Sequence, residues 1–279
     1  MKLSFFTGSM SMYPLEKSFE LAAECGFEGI EICGIRPHAY APDLKNGDIV
    51  NLMKLSKDYK MPIIGFEPYQ APHPYNIMYE RADWRKESIE YFKTALEMTA
   101  AMGAGNFMVM APGHPGFGRD VDDKWKMMID GLTELAEHAE KVNATIVLET
   151  VTPWESSMII TSDDIVRTRR AVNSPNVKGM LDLVAAITNA EPPSEYFEKL
   201  GKDMHHLHLV DGHIDGEDHL MAGDGDMPFR EILEMIEGYG YEGYCSLEHF
   251  EEYRMDPILF NKKAVRMIRE LQAEIAADK

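Results

Sequence analysis

The chain has 279 residues, 45% of them apolar, and 28 Lys and Arg against 47 Asp and Glu leave a formal charge of -19. That balance argues against a nucleic-acid partner, since such affinity comes largely from Lys and Arg neutralising phosphates, and no segment reaches the apolar length that spans a bilayer. Cys25, Cys33 and Cys245 have no close-paired spacing, so neither a zinc knuckle nor a disulfide framework is indicated; the first residues lack the apolar core of a signal peptide, and a cytoplasmic location is expected.

Along the chain, short apolar runs that read as strands alternate with stretches of helical apolar spacing. A strand over Lys2–Thr7 precedes a helix over Leu15–Cys25, and a strand over Gly29–Cys33 precedes a helix over Ile49–Tyr59. The pattern repeats with Pro62–Phe66 and Trp84–Met102, then with Asn106–Met110 and Lys124–Lys141. Further strands are expected over Thr145–Glu149, Val177–Asp182, His206–Val210 and Tyr244–Glu248, with helices over Phe229–Tyr239 and Pro257–Ala277. Ser162, Asp163 and Asp164 read as the cap of the helix after the fifth strand. Asp224-Gly-Asp226 lacks the spacing and closing glutamate of a calcium loop. It reads instead as a turn, with Pro228 near the first position of the next helix.

Repeated strand-then-helix order calls for a parallel sheet with helical crossovers. Eight repeats favour closure into a (β/α)8 TIM barrel, an α/β fold that typically takes about 250 residues, here one domain over residues 1–279. Gly26-Phe-Glu-Gly29 and Gly240-Tyr-Glu-Gly243 each follow a helix and precede a strand, where glycine caps the helix C-terminus. The long segments after strands, over residues 34–46, 67–83, 111–123 and 211–228, are rich in Pro, Gly, His and aromatics, which suits a ligand-binding rim.

Glu149, Asp182, His208 and Glu248 lie at or near the ends of the fifth to eighth strands, separated by 33, 26 and 40 residues. A single acid at a strand end commonly does no more than hold a loop. Four potential ligands in successive strands point to one face of a barrel, the face on which active sites are built. Three carboxylates and one imidazole suit a divalent cation. Manganese is the first choice because the set is oxygen-rich and not strongly zinc-like; cobalt, nickel and magnesium also suit it. His38, Glu67, Tyr69 and His114 follow the second, third and fourth strands as candidate wall residues, though such residues often serve only their own loops. Neither standard Gly-rich phosphate loop is present, so no nucleotide or flavin is indicated.

Leu148-Glu149, Met180-Leu-Asp182, His206-Leu-His208-Leu-Val-Asp211 and Ser246-Leu-Glu248 resemble the xylose-isomerase-like barrels, and within them the ketose 3-epimerases of the D-tagatose type. The resemblance implies that Glu149, Asp182, His208 and Glu248 are the metal ligands. It also implies that Glu149 and Glu248 form the acid/base pair at C3, working through an enediolate. His208 matches the ligand within His205-His-Leu-His208; His206, two residues earlier on the same strand face, is expected to pack or support. Glu155 matches a glutamate that binds a substrate hydroxyl. A likeness extending over nearly the whole chain is to the fructoselysine 3-epimerases. It rests on Gly29-Ile-Glu-Ile, Arg36-Pro-His-Ala-Tyr-Ala-Pro-Asp-Leu-Lys45, Met61-Pro-Ile-Ile-Gly65, Pro74-Tyr-Asn-Ile-Met78, Thr152-Pro-Trp-Glu155 and Tyr241-Glu-Gly-Tyr-Cys245. The loop from Arg36 to Lys45 is the most specific of these and favours His38 as a substrate contact.

Two positions depart from the tagatose-type pattern. A histidine three residues after the aspartate ligand is replaced by Ala185, and the stretch from Asp211 to His219 lacks the expected arginine. A substituted or larger ketose, such as an amino-acid conjugate, fits those losses better than a free hexulose. Other readings on the same scaffold are the catalytic subunit of a C-glycoside deglycosidase, which works with a small all-β partner subunit, and a sugar isomerase or dehydratase. The endonuclease IV group shares the fold but needs more ligands and a basic surface, which the charge opposes. A non-catalytic sugar-binding barrel would have no reason to keep both Glu149 and Glu248. The resemblance also implies a homo-oligomer, a dimer or tetramer, for which Trp84–Met102 could supply an interface.

Overall fold

In the computed structural model, which describes residues 1–279 except 69, 71–74, 104, 117–119, 215, 217, 251, 252, 254 and 279, the apolar runs form eight parallel strands. They are β1 (Lys2–Phe6), β2 (Gly29–Gly34), β3 (Ile63–Pro68), β4 (Phe107–Met110), β5 (Thr145–Leu148), β6 (Val177–Asp182), β7 (Met204–His208) and β8 (Tyr244–Leu247). Hydrogen bonding runs in chain order and closes β8 onto β1, with Leu3 opposite Cys245 and Phe5 opposite Leu247. This is the expected (β/α)8 barrel.

Ten helices are described: α1 (Leu15–Cys25), α2 (Ala41–Asp43), α3 (Ile49–Asp58), α4 (Ala82–Met102), α5 (Val121–Val142), α6 (Ser162–Val172), α7 (Leu183–Thr188), α8 (Pro193–Leu200), α9 (Phe229–Gly238) and α10 (Pro257–Ala277). None is long and apolar enough to cross a membrane. Strands covered by helices outside and side chains inside are apolar on both faces, which is why their sequences read as nearly continuous apolar runs.

Several boundaries move for local reasons. Residues 41–48, expected as loop, turn helically: Pro42 presets the backbone at the start of α2, and Gly47, at φ 132, breaks the turn before α3 begins. The seventh strand lies two residues earlier than expected, because a shift in register sets Gly179 opposite Met204 and Met180 opposite His206. The cap of α6 is Thr161, whose hydroxyl accepts from Asp164 N while the Asp164 carboxylate accepts from Thr161 N, a reciprocal box. Pro228 is the N-cap residue of α9.

Alternation along the strands sorts the barrel interior into layers. Ile64, Phe107, Val109, Val147 and Met180, with Tyr244 packed against them, fill the apolar part. Gly65 is required at its position, since a Cβ there would come within 2.7 Å of the Phe107 ring. Two residues beyond Val147 and Met180 come Glu149 and Asp182, and two residues beyond His206 and Ser246 come His208 and Glu248. A period of two therefore aims all four inward at the same end of the barrel. Leu148, Leu181, Leu207 and Leu247, between them in sequence, pack outward into the larger core against the helices.

Candidate active site

At the carboxyl end of the barrel, Glu149, Asp182, His208 and Glu248 present ligand atoms that all lie within 4.8 Å of one another. His208 Nδ1 is 2.8 Å from Glu149 Oε1, 2.9 Å from Glu248 Oε2 and 3.8 Å from Asp182 Oδ2. These approaches do not have hydrogen-bond geometry: buried His208 Nδ1 and Asp182 Oδ2 have no hydrogen-bond partner. Buried polar atoms are ordinarily paired. An orphaned imidazole nitrogen and carboxylate oxygen, converging with the carboxylates of Glu149 and Glu248, fit a divalent cation, which would satisfy them together. Asp182 is otherwise well held, since its Oδ1 accepts from Ala185 N at 2.7 Å and caps α7.

The electrostatics agree with that fit. Burial, then the charge of Glu248, raises Asp182 to about 6. Burial and the neighbouring carboxylates raise Glu149 to about 8 despite His208. For Glu248, burial pushes upward, but the adjacent His208 and His219 outweigh it and bring the carboxyl to about 2. Burial lowers His208, yet Glu248, Glu31 and Glu149 together raise it well above the usual imidazole range. A divalent cation held by these residues would lower the raised carboxyls and displace their protons.

One layer deeper lies a polar network whose acid was not singled out from sequence. Glu31, in the middle of β2 and fully buried, accepts from His206 Nε2 at 2.8 Å and lies 3.4 Å from His208 Nε2. Ser246 Oγ is 3.1 Å from His206 Nε2 and 2.6 Å from Ser4 Oγ. The expected support role of His206 thus takes a definite form: it is tied to Glu31, which also faces the far nitrogen of the His208 ring. A charged residue inside Gly29-Ile-Glu31-Ile-Cys33 was the available signal. Its partners lie 175 and 177 residues away, so the run alone did not disclose them.

A cavity of about 290 Å³ opens over the cluster, lined by Glu149, Asp182 and Glu248 together with Glu67, Gln70, Glu155, Ala185, His219 and Phe250 among others. Glu67 has one oxygen without a partner and is held well above the usual carboxylate range by burial and by Glu248 and Glu149. Glu155 reaches the same cavity, and its Oε2 accepts from Thr152 N at 2.9 Å and Thr152 Oγ1 at 3.0 Å. His114 lines an adjoining cavity, while its Nδ1 accepts from Gly116 N and its carbonyl accepts from Asn76. His38 is buried, its Nε2 2.7 Å from the Tyr13 carbonyl, and is not among the described residues lining either cavity. Tyr69 lies outside the described residues.

His219 is the second residue that sequence reasoning passed over. The loop after β7 is folded around Asp211, whose carboxylate accepts from the backbone N–H groups of Gly212, Gly223, Gly225 and Met227. An isolated bridge pairs Asp211 with Leu220, and this sets His219 Nε2 3.4 Å from Glu248 Oε2 and its ring edge-on to Phe250. Burial lowers His219, but Glu248, Asp182 and Glu155 raise it to about 10, so it brings positive charge to the stretch that lacks the arginine. Asp224 and Asp226 belong to the turn that surrounds Asp211.

Residues 19–271 match the family described as xylose isomerase-like TIM barrel, and the chain belongs to that family. A fructoselysine 3-epimerase of Escherichia coli O157:H7 is 38% identical over 274 residues, 98% of this chain and 99% of its own length. Among solved structures, a D-tagatose 3-epimerase-like protein is 25% identical with a TM-score of 0.77, covering 97% of this chain and 99% of that one. A 3-keto-D-glucoside 4-epimerase from E. coli, 18% identical over 97% of this chain and 99% of that one, shares the fold with a TM-score of 0.81. With these relatives, the chain is an enzyme of the isomerase class.

Proposed function

We propose that the protein is a metal-dependent ketose 3-epimerase acting on a substituted ketose such as fructoselysine. The observation that carries this reading is the convergence of Glu149, Asp182, His208 and Glu248 in a chain similar from end to end to a fructoselysine 3-epimerase. Glu149, Asp182, His208 and Glu248 would hold the ion, with manganese the first choice for an oxygen-rich set. When bound, the ion supplies Lewis-acid stabilisation of negative charge on the substrate oxygens around the reacting carbon.

The protein's own residues move the proton. Glu149 and Glu248 are the two acids able to take a proton from one side of C3 and return one from the other, exchanging roles with the direction of reaction. Their surroundings differ: Glu248 lies between His208 and His219, whereas among the described histidines His208 is the one beside Glu149. Such asymmetry is how two carboxyls keep different protonation states in one site. Glu155 contacts a substrate hydroxyl, and Glu67, which lines the same cavity, is a second wall contact for the sugar.

Proton NMR in D2O tests the reading, with manganese-loaded protein and fructoselysine, free fructose or psicose as substrates. Deuterium entering at C3 while a second epimer accumulates is the expected result. No exchange into any ketose, together with metal-dependent breakdown of a C-glycoside, would move the assignment to elimination chemistry at the same ligands.

A further inference from the structure

The cavity over the ligands does not end at Glu155. Gln70, Val151 and Glu155 also line a second cavity of about 580 Å³, enclosed by loops after β3, β4 and β5. Its walls are aromatic: Tyr75, Tyr79 and Trp154 face it. Trp154 is 57% exposed, an unusual state for a large apolar side chain beside an active site.

This second space is built rather than left over from loop packing. Asn76 donates to the His114 carbonyl at 2.8 Å, and Ser156 donates to the Gly113 carbonyl at 2.8 Å, cross-linking the three loops. Tyr75 is stacked on Tyr91 with ring centroids 3.6 Å apart. A Cβ at Gly113 would come within 2.8 Å of Asn76, so glycine is what lets those loops close together. Charge completes the picture. Among the described residues no Lys or Arg lines either cavity, whereas Glu67, Glu149, Glu155, Asp182 and Glu248 do. Among the described residues of the second cavity a phosphate finds no Lys or Arg, but an ammonium beside Glu155 does find its counter-charge, and an aliphatic chain beyond it meets aromatic faces.

We infer that the second cavity is a substituent subsite: it takes the N-linked chain of a ketosamine whose sugar ring carbons lie over the metal ligands. This rests on the ketose-epimerase reading and narrows it, since it sets the preferred substrate as a ketose carrying a secondary amine at C1 and an aliphatic chain. Glu155, which lines both cavities, stands at the junction, where its carboxylate meets the amine as well as the sugar hydroxyl next to it, and Trp154 covers the chain.

The test is kcat/KM for C3 exchange across fructose, its N-methyl, N-butyl and lysine Nε-linked ketosamines, and fructose 1-phosphate. Each buried methylene is worth about fourfold, so the N-butyl compound should exceed the N-methyl compound at least about tenfold, with the phosphate poorest. Trp154→Ala should collapse that N-butyl to N-methyl ratio about tenfold, and Trp154→Phe should restore most of it. A wild-type ratio near one, or a ratio that survives both Trp154→Ala and Tyr79→Ala, would overturn the subsite while leaving the epimerase reading intact. If no ketose exchanges at C3, the epimerase reading fails instead, and tryptophan fluorescence titrated with the N-butyl ketosamine then decides the subsite. Saturable quenching lost in Trp154→Ala keeps it; no quenching removes it.

Discussion

Strands β5 to β8 carry Glu149, Asp182, His208 and Glu248 at or just past their last residues, whereas among the described residues β1 to β4 add none to that group of four. The first half acts in two other ways. From mid-strand, β2 sends Glu31 across the barrel to His206 and His208. From β3 and the loops beyond β3 and β4 come Glu67, Gln70, Tyr75 and His114, which wall the two cavities. A barrel can thus concentrate its chemistry on one half and assign orientation and substrate fit to the other.

The largest expected effect sits in the ligand half. Glu248→Gln keeps shape and removes the proton-transferring group, so C3 exchange should fall by about 10²–10⁴-fold while substrate binding stays measurable by calorimetry. Retained exchange would take Glu248 out of the acid/base role and blur the contrast between halves.

A smaller effect is expected across the barrel. Glu31→Gln keeps the packing but weakens the acceptor behind His206 and His208, and groups that orient a metal-bound histidine are typically worth 10–100-fold in metal affinity or activity. A competition titration with a chelating indicator reads this directly. An unchanged manganese affinity would mean that Glu31 only fills the barrel, and the division of labour would lose its deeper layer.

The mildest test uses the metal-free protein. Glu149 and Asp182 have folded-state values raised to about 8 and about 6, above ordinary carboxyl values of 4.5 and 3.8, so these two groups hold more protons in the folded chain than in the unfolded one. Stability changes with pH as protons bound by the unfolded state minus those bound by the native state. Buried His205 and His249, lowered to about 4, oppose the two acids below about 6.5, so the difference is clearly negative only from about 6.5 to about 8, and over that interval unfolding free energy should fall as pH rises. Raised His208 adds the same sign above the imidazole range. Manganese should bind more tightly over the same rise, because it displaces those protons, and should flatten the decline. Denaturant melts with and without manganese across this range check both signs; a metal-free stability that rises with pH would contradict the buried-acid account.

Apolar runs with an acid or imidazole at or near their ends were enough to read the barrel and to bring Glu149, Asp182, His208 and Glu248 to one face, because alternation in a strand is local and its direction follows from the backbone. The cap of α6 lies one residue before the expected Ser162, at Thr161, and residues 41–48, read as loop, turn helically, since several caps and turns compete within one short window. Glu31 and His219 were a different matter. One acts through a contact 175 residues away, and the other is aimed at Glu248 only once Asp211 has gathered its loop. The joining of two cavities at Glu155 likewise exists only when three loops meet. Sequence determines what depends on neighbours along the chain; closure of the barrel decides what depends on neighbours across it, and in this protein that is where the histidine support and the substrate walls lie.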